Sequence, residues 1–410
     1  MHTPGAPMST VPASVMRFTT EEYQDRLARV RSAMDERGID VLVATDPSNM
    51  AWLTGYDGWS FYTHQAVLVF GDEDPMWWGR TIDARGARRT VYMNTDRIVG
   101  YPDDLVQATT MHPHQHLASL LLDLGRDAGR IGVEMDNYYY NAAAHHHLTT
   151  RLTDATFIDA TGLVNWQRAV KSDQELVYMR RAARIVEQIH HRIFEMIEPG
   201  VRKSDLVAEI FRSGIAGVEG IGEDDTFGGD YPAIVPLVPT GVDASAPHLT
   251  WDDAVFEPDN ATFFEVAGCY RRYHAPLCRT VYLGDPPGEL RAAEAALIEG
   301  LEAGLDMARA GNRACDVADA LYRTLERAGI QKEGRCGYAV GMSYPPDWGE
   351  RTISFRRSDV TVLEPGMTFH FMPGLWFDDW GLEITETILI REEGPAEPLA
   401  DYPRAVMVKP

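Results

Sequence analysis

The stretch from Phe263 to Thr280, FFEVAGCYRRYHAPLCRT, constrains the chain most, because it predicts a β-hairpin with a single acidic residue, Glu265. Further strands and helices are predicted around it. The strands are Ile234–Val238, Thr262–Tyr270, Arg279–Leu283, Met367–Phe371 and Ile384–Ile390, and the helices are a long one after Ser172, then Leu206–Val218, Leu290–Ala310 and Ala314–Ala328. Helices interleaved with hairpin-like strands predict an α+β domain.

The long helix of this half begins at a capping box. The Ser172 hydroxyl can accept a hydrogen bond from the backbone amide of Glu175, whose carboxylate can reach back to the amide of Ser172. Apolar residues then recur at helical spacing until Pro199 and Gly200 end the pattern. We therefore expect a second domain over residues 166–410.

The first half of the chain alternates short apolar strands with helical patterns. An amphipathic helix is predicted over Thr20–Arg37, with Gly38 at its end. The predicted strands are Asp40–Thr45, Gln65–Phe70 and Arg130–Met135. This alternation predicts a smaller α/β domain over residues 16–165. Residues 1–15 are rich in Pro, Ser and Thr, which predicts a mobile tail rather than a signal peptide.

Charge and cysteine usage exclude several classes of protein. With 61 acidic and 38 basic residues, the formal net charge of −23 argues against a surface for nucleic acid or anionic membrane. We see no apolar run of membrane-spanning length. The four cysteines lack CxxC spacing, which predicts reduced thiols and a cytoplasmic protein.

Two clusters in the first half are open to more than one interpretation. Trp52, Tyr56 and Trp59 lie in a glycine-broken segment, where aromatic side chains form either ordinary core or the wall of a pocket. Histidines recur at His112, His114 and His116 and again at His145, His146 and His147. Because neither run has cysteines or carboxylates in a ligand pattern around it, we predict no metal site there.

Several motifs of the second half occur together in a known family. They are KSDQELVYMRRAARI, the Phe263–Thr280 hairpin, GYAVG (Gly337–Gly341), LEPGMTFHFMPG (Leu363–Gly374) and GLEITETILI. In order and spacing they resemble the pita-bread family of methionine aminopeptidases, prolidases and creatinases. The α/β domain before them is similar to that of the prolidase and creatinase branch. The resemblance implies a pita-bread catalytic domain preceded by a creatinase-like N-terminal domain.

The resemblance also implies where this family binds two metal ions. Its five ligand positions, two aspartates, a histidine and two glutamates, correspond here to Glu265, Pro276, Tyr338, Met372 and Thr385, or Glu386 if the last strand shifts by one. Proline and methionine offer no suitable oxygen donor, and a neutral tyrosine replaces imidazole poorly. We therefore expect no metal and no other cofactor, and reject metal-dependent peptide hydrolysis.

The creatinase branch implies a different chemistry, cleavage of C–N bonds without a metal. An upstream histidine transfers protons in that branch, and His248 in PTGVDASAPHLTW takes its place here. Glu265 is the candidate nucleophile or base. Glu383 and Glu386 lie three residues apart on a predicted strand, so one of them, unassigned, faces the pocket unless a bulge intervenes.

A narrower resemblance suggests the substrate. ATDPSNMAWLTGYDGWSFY and GYAVGMSYPPDWGERT resemble segments of ectoine hydrolases, creatinase-like enzymes that open the cyclic amidine of the compatible solute ectoine to N-acetylated 2,4-diaminobutyrate. Hydroxyectoine stays open as a second substrate. Alternatives are another small guanidino or amidino acid, or a scaffold that has lost catalysis and binds a ligand.

The same resemblance suggests which residues contact the substrate. We expect Tyr338, Tyr344, Asp347 and Arg351 to line the pocket, where an arginine can hold a carboxylate bidentately. In the creatinase branch the small domain of one subunit borders the active site of its partner. The resemblance therefore implies a homodimer in which Trp52, Tyr56 and Trp59 stack on the planar amidinium by cation–π attraction.

Overall fold

The chain divides between Gln167 and Arg168 into two compact units, and each unit has its own β-structure. The computed structural model describes residues 16–220, 225–332 and 334–410. The division falls two residues after the boundary expected from the sequence. The predicted tail, residues 1–15, lies outside the described residues.

The first unit alternates helices with strands. Its helices are α1 (Thr20–Arg37), α2 (Pro47–Thr54), α3 (Ala84–Thr90), α4 (Pro113–Asp123), α5 (Ala142–Arg151) and α6 (Leu163–Gln167). Its strands are β1 (Val41–Ala44), β2 (Ala66–Phe70), β3 (Met76–Arg80), β4 (Ile98–Tyr101), β5 (Gly129–Val133) and β6 (Ala155–Asp159).

These strands form one mixed sheet in the order β4-β3-β2-β1-β5-β6. Strand β1, VLVA, is buried throughout because it lies inside the sheet, antiparallel to β2 and parallel to β5. Helix α1 begins where the Thr19 hydroxyl accepts from the amide of Glu22, and it ends at Gly38 as predicted. The α/β architecture expected for this half is confirmed.

The second unit combines four long helices with ten strands among its described residues. The helices are α7 (Asp173–Met196), α8 (Lys203–Ala216), α9 (Gly288–Met307) and α10 (Ala314–Arg327). The strands are β7 (Asn260–Tyr270), β8 (Tyr273–Leu283), β9 (Gly337–Val340), β10 (Gly349–Ser354), β11 (Thr368–Phe371), β12 (Gly374–Trp376), β13 (Gly381–Glu383), β14 (Glu386–Leu389), β15 (Glu397–Pro398) and β16 (Met407–Lys409). The expected α+β class is confirmed.

The β7–β8 hairpin forms the centre of this unit and pairs residue for residue from Asn260 with Leu283 to Tyr270 with Tyr273. Phe264 and Val266 pack with α7 in one core cluster, so the alternation of side chains turns Glu265 to the opposite face. Gly268 permits the close approach of α7, because a Cβ at this position would lie 2.0 Å from the carbonyl oxygen of Ala182.

Helix α7 begins at the predicted capping box. The Ser172 hydroxyl accepts from the Glu175 amide at 3.3 Å, and the Glu175 carboxylate accepts from the Ser172 amide at 2.9 Å. Helix α7 packs on the β7–β8 hairpin and thereby fixes the position of the hairpin face that carries Glu265.

Two predicted strands were wrong in detail. Ile234–Val238 forms no strand, and only Leu237 exchanges backbone hydrogen bonds with Glu265, at 3.1 Å each, because the neighbouring Pro236 and Pro239 lack an amide donor. The strand predicted over Ile384–Ile390 is interrupted, since Thr385 leaves the ladder and its amide donates to the carbonyl of Cys278 at 3.1 Å. Glu383 and Glu386 consequently lie in different sheets.

Among the described residues, no helix is both long enough and apolar enough to cross a lipid bilayer. All four cysteines are buried, and their reduced state stays a prediction.

Candidate active site

Two buried carboxyl groups, Glu265 and Glu383, meet at the centre of the second unit. Glu265 is the cross-strand partner of Cys278, so both side chains lie on the same face of the hairpin. Strand β13 is fastened to this hairpin through Thr280, whose hydroxyl accepts from the Glu383 amide at 2.9 Å and donates to the Glu383 carbonyl at 3.0 Å. The hairpin and the end of β13 thus bring the two carboxyl groups together.

Burial decides the protonation of this carboxyl pair. Only 7% of Glu265 and 1% of Glu383 is exposed. Burial raises the pKa of Glu265 well above its ordinary range, and the neighbouring Glu383 raises that pKa further. Burial also raises the pKa of Glu383 to about 7, although the Cys278 thiol and the charge of Lys332 offset part of the effect. The pair therefore holds at least one proton at neutral pH.

Glu383 has a second unusual property. Within the part of the chain that the structure describes, the Cys278 thiol is a weak donor beside this carboxylate, and neither carboxylate oxygen has a hydrogen bond of ordinary geometry. A buried carboxylate without a partner is costly, and a bound cation with N–H donors would relieve that cost. The carboxyl pair is therefore complementary to a small planar cation.

A chain of neutral groups lies beside Glu265. His370 on β11 places Nδ1 3.0 Å from the Tyr338 hydroxyl and Nε2 2.8 Å from the Thr385 hydroxyl. The same Nδ1 lies 3.9 Å from Glu265 Oε1. Burial lowers the pKa of His370 to about 3, so its imidazole is neutral and does not form an ion pair with Glu265.

Tyr338 is held at this position from two sides. Its hydroxyl accepts from the Trp348 indole at 2.7 Å, and the Arg335 guanidinium lies 4.3 Å from the centre of its ring. Burial raises the pKa of Tyr338 well above its ordinary range, and the nearby Glu265 adds to the shift. Tyr338 thus offers a neutral hydroxyl next to the carboxyl pair, and its contact with substrate stays a prediction.

The five positions that correspond to metal ligands do not supply a metal site here. The Tyr338 and Thr385 hydroxyls both bond to His370, whose ring lies next to Glu265. Pro276 lies on the same face of the hairpin as Glu265. Glu265 alone among the five carries a carboxylate, beside two hydroxyls, a proline ring and a thioether. This donor set does not fit two hard or borderline cations.

Glu386 belongs to a buried ion-pair network. Its Oε1 accepts from Arg279 Nη2 at 2.8 Å and from Arg404 Nε at 3.1 Å. Arg279 also donates to the carbonyl of Thr385 at 2.5 Å. These bonds stabilise the segment between β13 and β14, so Glu386 has a structural role. Glu383 is the member of the predicted pair that faces Glu265.

His248 lies outside the carboxyl cluster in this structure. It is exposed, in a turn after the short helix Gly241–Ser245. That helix packs closely on β13, because a Cβ on Gly381 would lie 1.9 Å from the Ala244 carbonyl oxygen. The exposed His248 ring is not held against Glu265 by any contact between described residues, and its catalytic role stays a prediction.

The predicted substrate-binding loop is anchored from beneath. The buried Glu350 carboxylate accepts from Lys171 Nζ at 2.6 Å and lies 3.5 Å from Arg168 Nη2. Asp347 accepts from the amide of Gly349 at 2.9 Å, and its charge contributes to the raised pKa of Tyr338. Asp347 therefore borders the site.

The other two loop residues have different environments. Tyr344 is buried, with the Arg272 guanidinium 5.5 Å from the centre of its ring. Arg351 is exposed and has a φ of 55°. Neither is placed against Glu265 by the contacts of the described residues, so their contact with substrate stays a prediction.

The aromatic residues of the first unit require a correction. Trp52 is 0% exposed, with the Arg26 and Arg29 guanidinium groups 4.8 and 5.1 Å from the centre of its ring. Tyr56 is 2% exposed and donates to Gln65 Oε1 at 3.0 Å. Both are core residues and present no surface for a ligand. Trp59, 44% exposed, remains available as a contact surface.

The sequence did not point to His370, Cys278, Lys332 or Arg335 as site residues. His370 had a detectable signal, because it lies two residues before Met372 on a predicted strand and so shares a face with a ligand position. Lys332 donates to the carbonyl of Gly374 at 2.8 Å, beside a cavity of about 290 Å³ lined by Trp376. A loop lysine gives no periodic signal of this kind.

The comparisons with known proteins agree with this geometry. Residues 177–392 match the model of metallopeptidase family M24, and residues 26–170 match that of the creatinase/prolidase N-terminal domain. This chain belongs to family M24. The expected pita-bread domain with a creatinase-like N-terminal domain is thereby confirmed.

Members of this family differ widely in sequence. An ectoine hydrolase from Halomonas elongata is 59% identical to this M24 chain over 394 residues, 96% of this chain and 98% of that protein. Among solved structures, a recombinant prolidase from Thermococcus sibiricus superposes with a TM-score of 0.80 at 15% identity and covers 95% of this chain and all of its own, 100%. The dipeptidase PepE from Mycobacterium ulcerans gives 0.77 at 21% identity, covering 96% and 99%. The two structures show the fold.

We predict that Glu383→Gln stabilises the second unit in a pH-dependent manner. The folded-state pKa of about 7 exceeds the ordinary 4.5, so the native state binds more protons than the unfolded chain between these values, and stability falls as pH rises through this window. The substitution removes that loss, on the order of 3 kcal/mol at pH 8 and little at pH 5. Calorimetric melting temperatures at both pH values measure the difference.

Glu386→Gln is the matched control, because it breaks the ion pair with Arg279 and Arg404. It should lower the melting temperature at both pH values. An equal gain for Glu383→Gln at pH 5 and pH 8 would contradict the raised pKa.

Proposed function

We propose that this protein is a hydrolase that opens the cyclic amidine ring of ectoine to N-acetyl-2,4-diaminobutyrate without a metal ion. The observation that carries the proposal is the buried Glu265–Glu383 pair, whose neighbours at the family's metal-ligand positions are hydroxyls, a proline ring and a thioether. The amidinium of ectoine is planar, positively charged and rich in N–H donors, so it matches this pair. The 59% identical ectoine hydrolase supports the same substrate.

Substrate charge would switch the pair into its reactive form. An amidinium beside the carboxyl pair favours the ionised state and lowers the pKa of both groups. Glu265 then releases its proton to solvent and becomes a carboxylate next to the amidine carbon. Without a Lewis acid, the positive charge of the substrate is then matched by a fixed carboxylate.

Two versions of the bond-forming step are compatible with this arrangement. In one, Glu265 takes a proton from water as the water oxygen bonds to the amidine carbon. In the other, Glu265 itself bonds to that carbon, and water later releases the acyl group. In both, one C–N bond of the ring breaks, and the departing nitrogen takes a proton.

Glu265 can supply that proton in the first version, because it has just taken one from water. Glu383, ionised beside the bound amidinium, then serves as the counter-charge of the substrate. His248, the donor suggested by the creatinase branch, is the second candidate; its loop begins at Ala244, which packs against Gly381. Movement of this short loop would be needed to bring the imidazole to the substrate.

We propose Arg335 as the partner of the substrate carboxylate in place of Arg351. Its guanidinium lies against the Tyr338 ring, and its charge lowers the pKa of His370, so it is electrostatically coupled to the site. A guanidinium can bind a carboxylate with two hydrogen bonds. Lys332 provides a second positive charge on the Glu383 side.

The function is tested by following three substrates with purified, metal-analysed protein. We expect NMR to show ring opening of ectoine, with creatine and an X-Pro dipeptide unchanged and chelator without effect. Glu265→Gln should lower turnover at least about 100-fold, because it removes the base or nucleophile while preserving shape. Dipeptide cleavage that chelator abolishes, or near-wild-type turnover by folded Glu265→Gln, would contradict the proposal.

We also propose that the active form is a cytoplasmic homodimer, in which the first unit of one subunit borders the active site of the other. The support is the creatinase-like N-terminal domain and the exposed aromatic surface at Trp59 and Tyr62, 44% and 77% exposed. Sedimentation velocity in an activity buffer should show a dimer as the active species. A fully active monomer would contradict this arrangement.

A further inference from the structure

Three histidines of the first unit converge away from the proposed catalytic residues. His64 lies just before β2, His112 is the N-cap of α4, and His114 lies in its first turn. One ring nitrogen from each lies within 4.8 Å of the others. Across residues 16–220, 225–332 and 334–410, this is the one group of three or more histidine, cysteine, aspartate or glutamate side chains that meets so closely.

His114 has nothing to bond to in this cluster. It is 0% exposed, and neither ring nitrogen has a hydrogen-bond partner. Its ring is enclosed by aromatic rings, with centres 4.8 Å away at His64, 5.4 Å at Trp78 and 6.0 Å at Tyr140. Buried polar groups are normally satisfied, so a buried imidazole with two unpartnered nitrogens points to a missing ligand.

The other two histidines are available as ligands. His112 Nδ1 accepts from the amide of His114 at 3.2 Å, so in the neutral ring Nδ1 holds the lone pair and Nε2 carries the proton. Metal binding would replace this hydrogen bond at Nδ1, or move the proton from Nε2 to Nδ1 and use Nε2. An imidazole with an ordinary pKa of about 6.5 is largely neutral at neutral pH, and each neutral ring has one nitrogen lone pair that can bind a metal ion.

An opening leads to this cluster. His64 and His112 line a cavity of about 250 Å³ together with Tyr101 and Arg80. Arg80 forms an ion pair with Asp103, so its charge is compensated. A hydrated ion can therefore approach the histidines from the cavity.

We propose that His64, His112 and His114 bind one divalent transition-metal ion of the zinc, nickel or copper class. Three imidazoles without a carboxylate or thiolate suit these borderline cations and not Mg²⁺ or Ca²⁺. A tetrahedral ion with Zn–N bonds of about 2.1 Å requires nitrogens about 3.4 Å apart, so separations of up to 4.8 Å must close by up to about 1.4 Å through side-chain rotation. The fourth position would face the cavity.

Such an ion would join the segment before β2 to the start of α4. The proposal stands apart from the catalytic one, since the three histidines lie in the first unit and Glu265 in the second. Sequence inspection missed the site because His64 is 48 positions before His112 and belongs to neither histidine run.

The test is zinc binding by untagged, full-length protein after removal of metals with a chelator. Competition with a chromophoric chelator should show one tight Zn²⁺ ion per chain. His64→Phe keeps the aromatic contacts, and His112→Asn keeps an N-cap acceptor, so each removes a ligand with little change to the fold. Each should weaken binding more than about 100-fold, beyond the effect of losing an outer-shell partner.

His146→Ala is the matched control, because His146 is exposed and outside the cluster. This variant and Glu265→Gln should bind Zn²⁺ as the wild type does. Zn²⁺ should also raise the melting temperature of the wild type but not of His64→Phe, which keeps the test decisive if His112→Asn does not fold. Absence of tight binding, or equal binding by His64→Phe and wild type, would overturn the proposal.

Discussion

Two carboxyl groups buried side by side are the main physical constraint on the second unit. Desolvation makes the charged form of each costly, and their proximity makes a doubly ionised pair costlier still. The fold tolerates the pair by keeping protons on it, which is visible in the raised pKa of both Glu265 and Glu383. A small planar cation would satisfy these groups without a metal ion, and that complementarity connects the fold to the proposed chemistry.

The surroundings of the pair are neutral and fixed. His370 joins the Tyr338 and Thr385 hydroxyls, and Trp348 holds Tyr338 from the other side. The positive charges that act on the site come from Lys332, on the Glu383 side, and from Arg335, on the His370 side. The charge of Arg279 is neutralised by Glu386. A substrate that carries both an amidinium and a carboxylate would therefore be oriented by the separation of these charges.

Much of the fold could be predicted from the sequence, because its helices and strands are marked by local signals. The Thr20–Arg37 helix, the capping box at Ser172 and the hairpin follow from periodicity and caps, and the structure contains all three. Glu265 was found through the resemblance of that hairpin to the pita-bread family, whose first metal-ligand position it occupies. The choice between Glu383 and Glu386 could not be made, since it depends on Thr385 leaving one sheet to bond the other, a long-range event.

The sequence also could not predict which of the aromatic side chains in the first unit are buried. Trp52 and Tyr56 looked as suitable for a pocket wall as Trp59, and only their depth in the core separates them. His64 gave no signal as a neighbour of His112 because tertiary structure alone brings them together.

The central claim, a carboxyl pair that keeps protons until a cation binds, is tested most directly by infrared difference spectroscopy of wild type against Glu383→Gln. The account predicts protonated carboxyl absorption at pH 6, with one component, that of Glu383, lost as pH rises through about 7. That component should be missing in the variant, which keeps the band of the protonated Glu265 carboxyl. Ectoine should remove the band at constant pH. A wild-type spectrum without a protonated carboxyl at pH 6, or a band that ectoine leaves unchanged, would contradict the account.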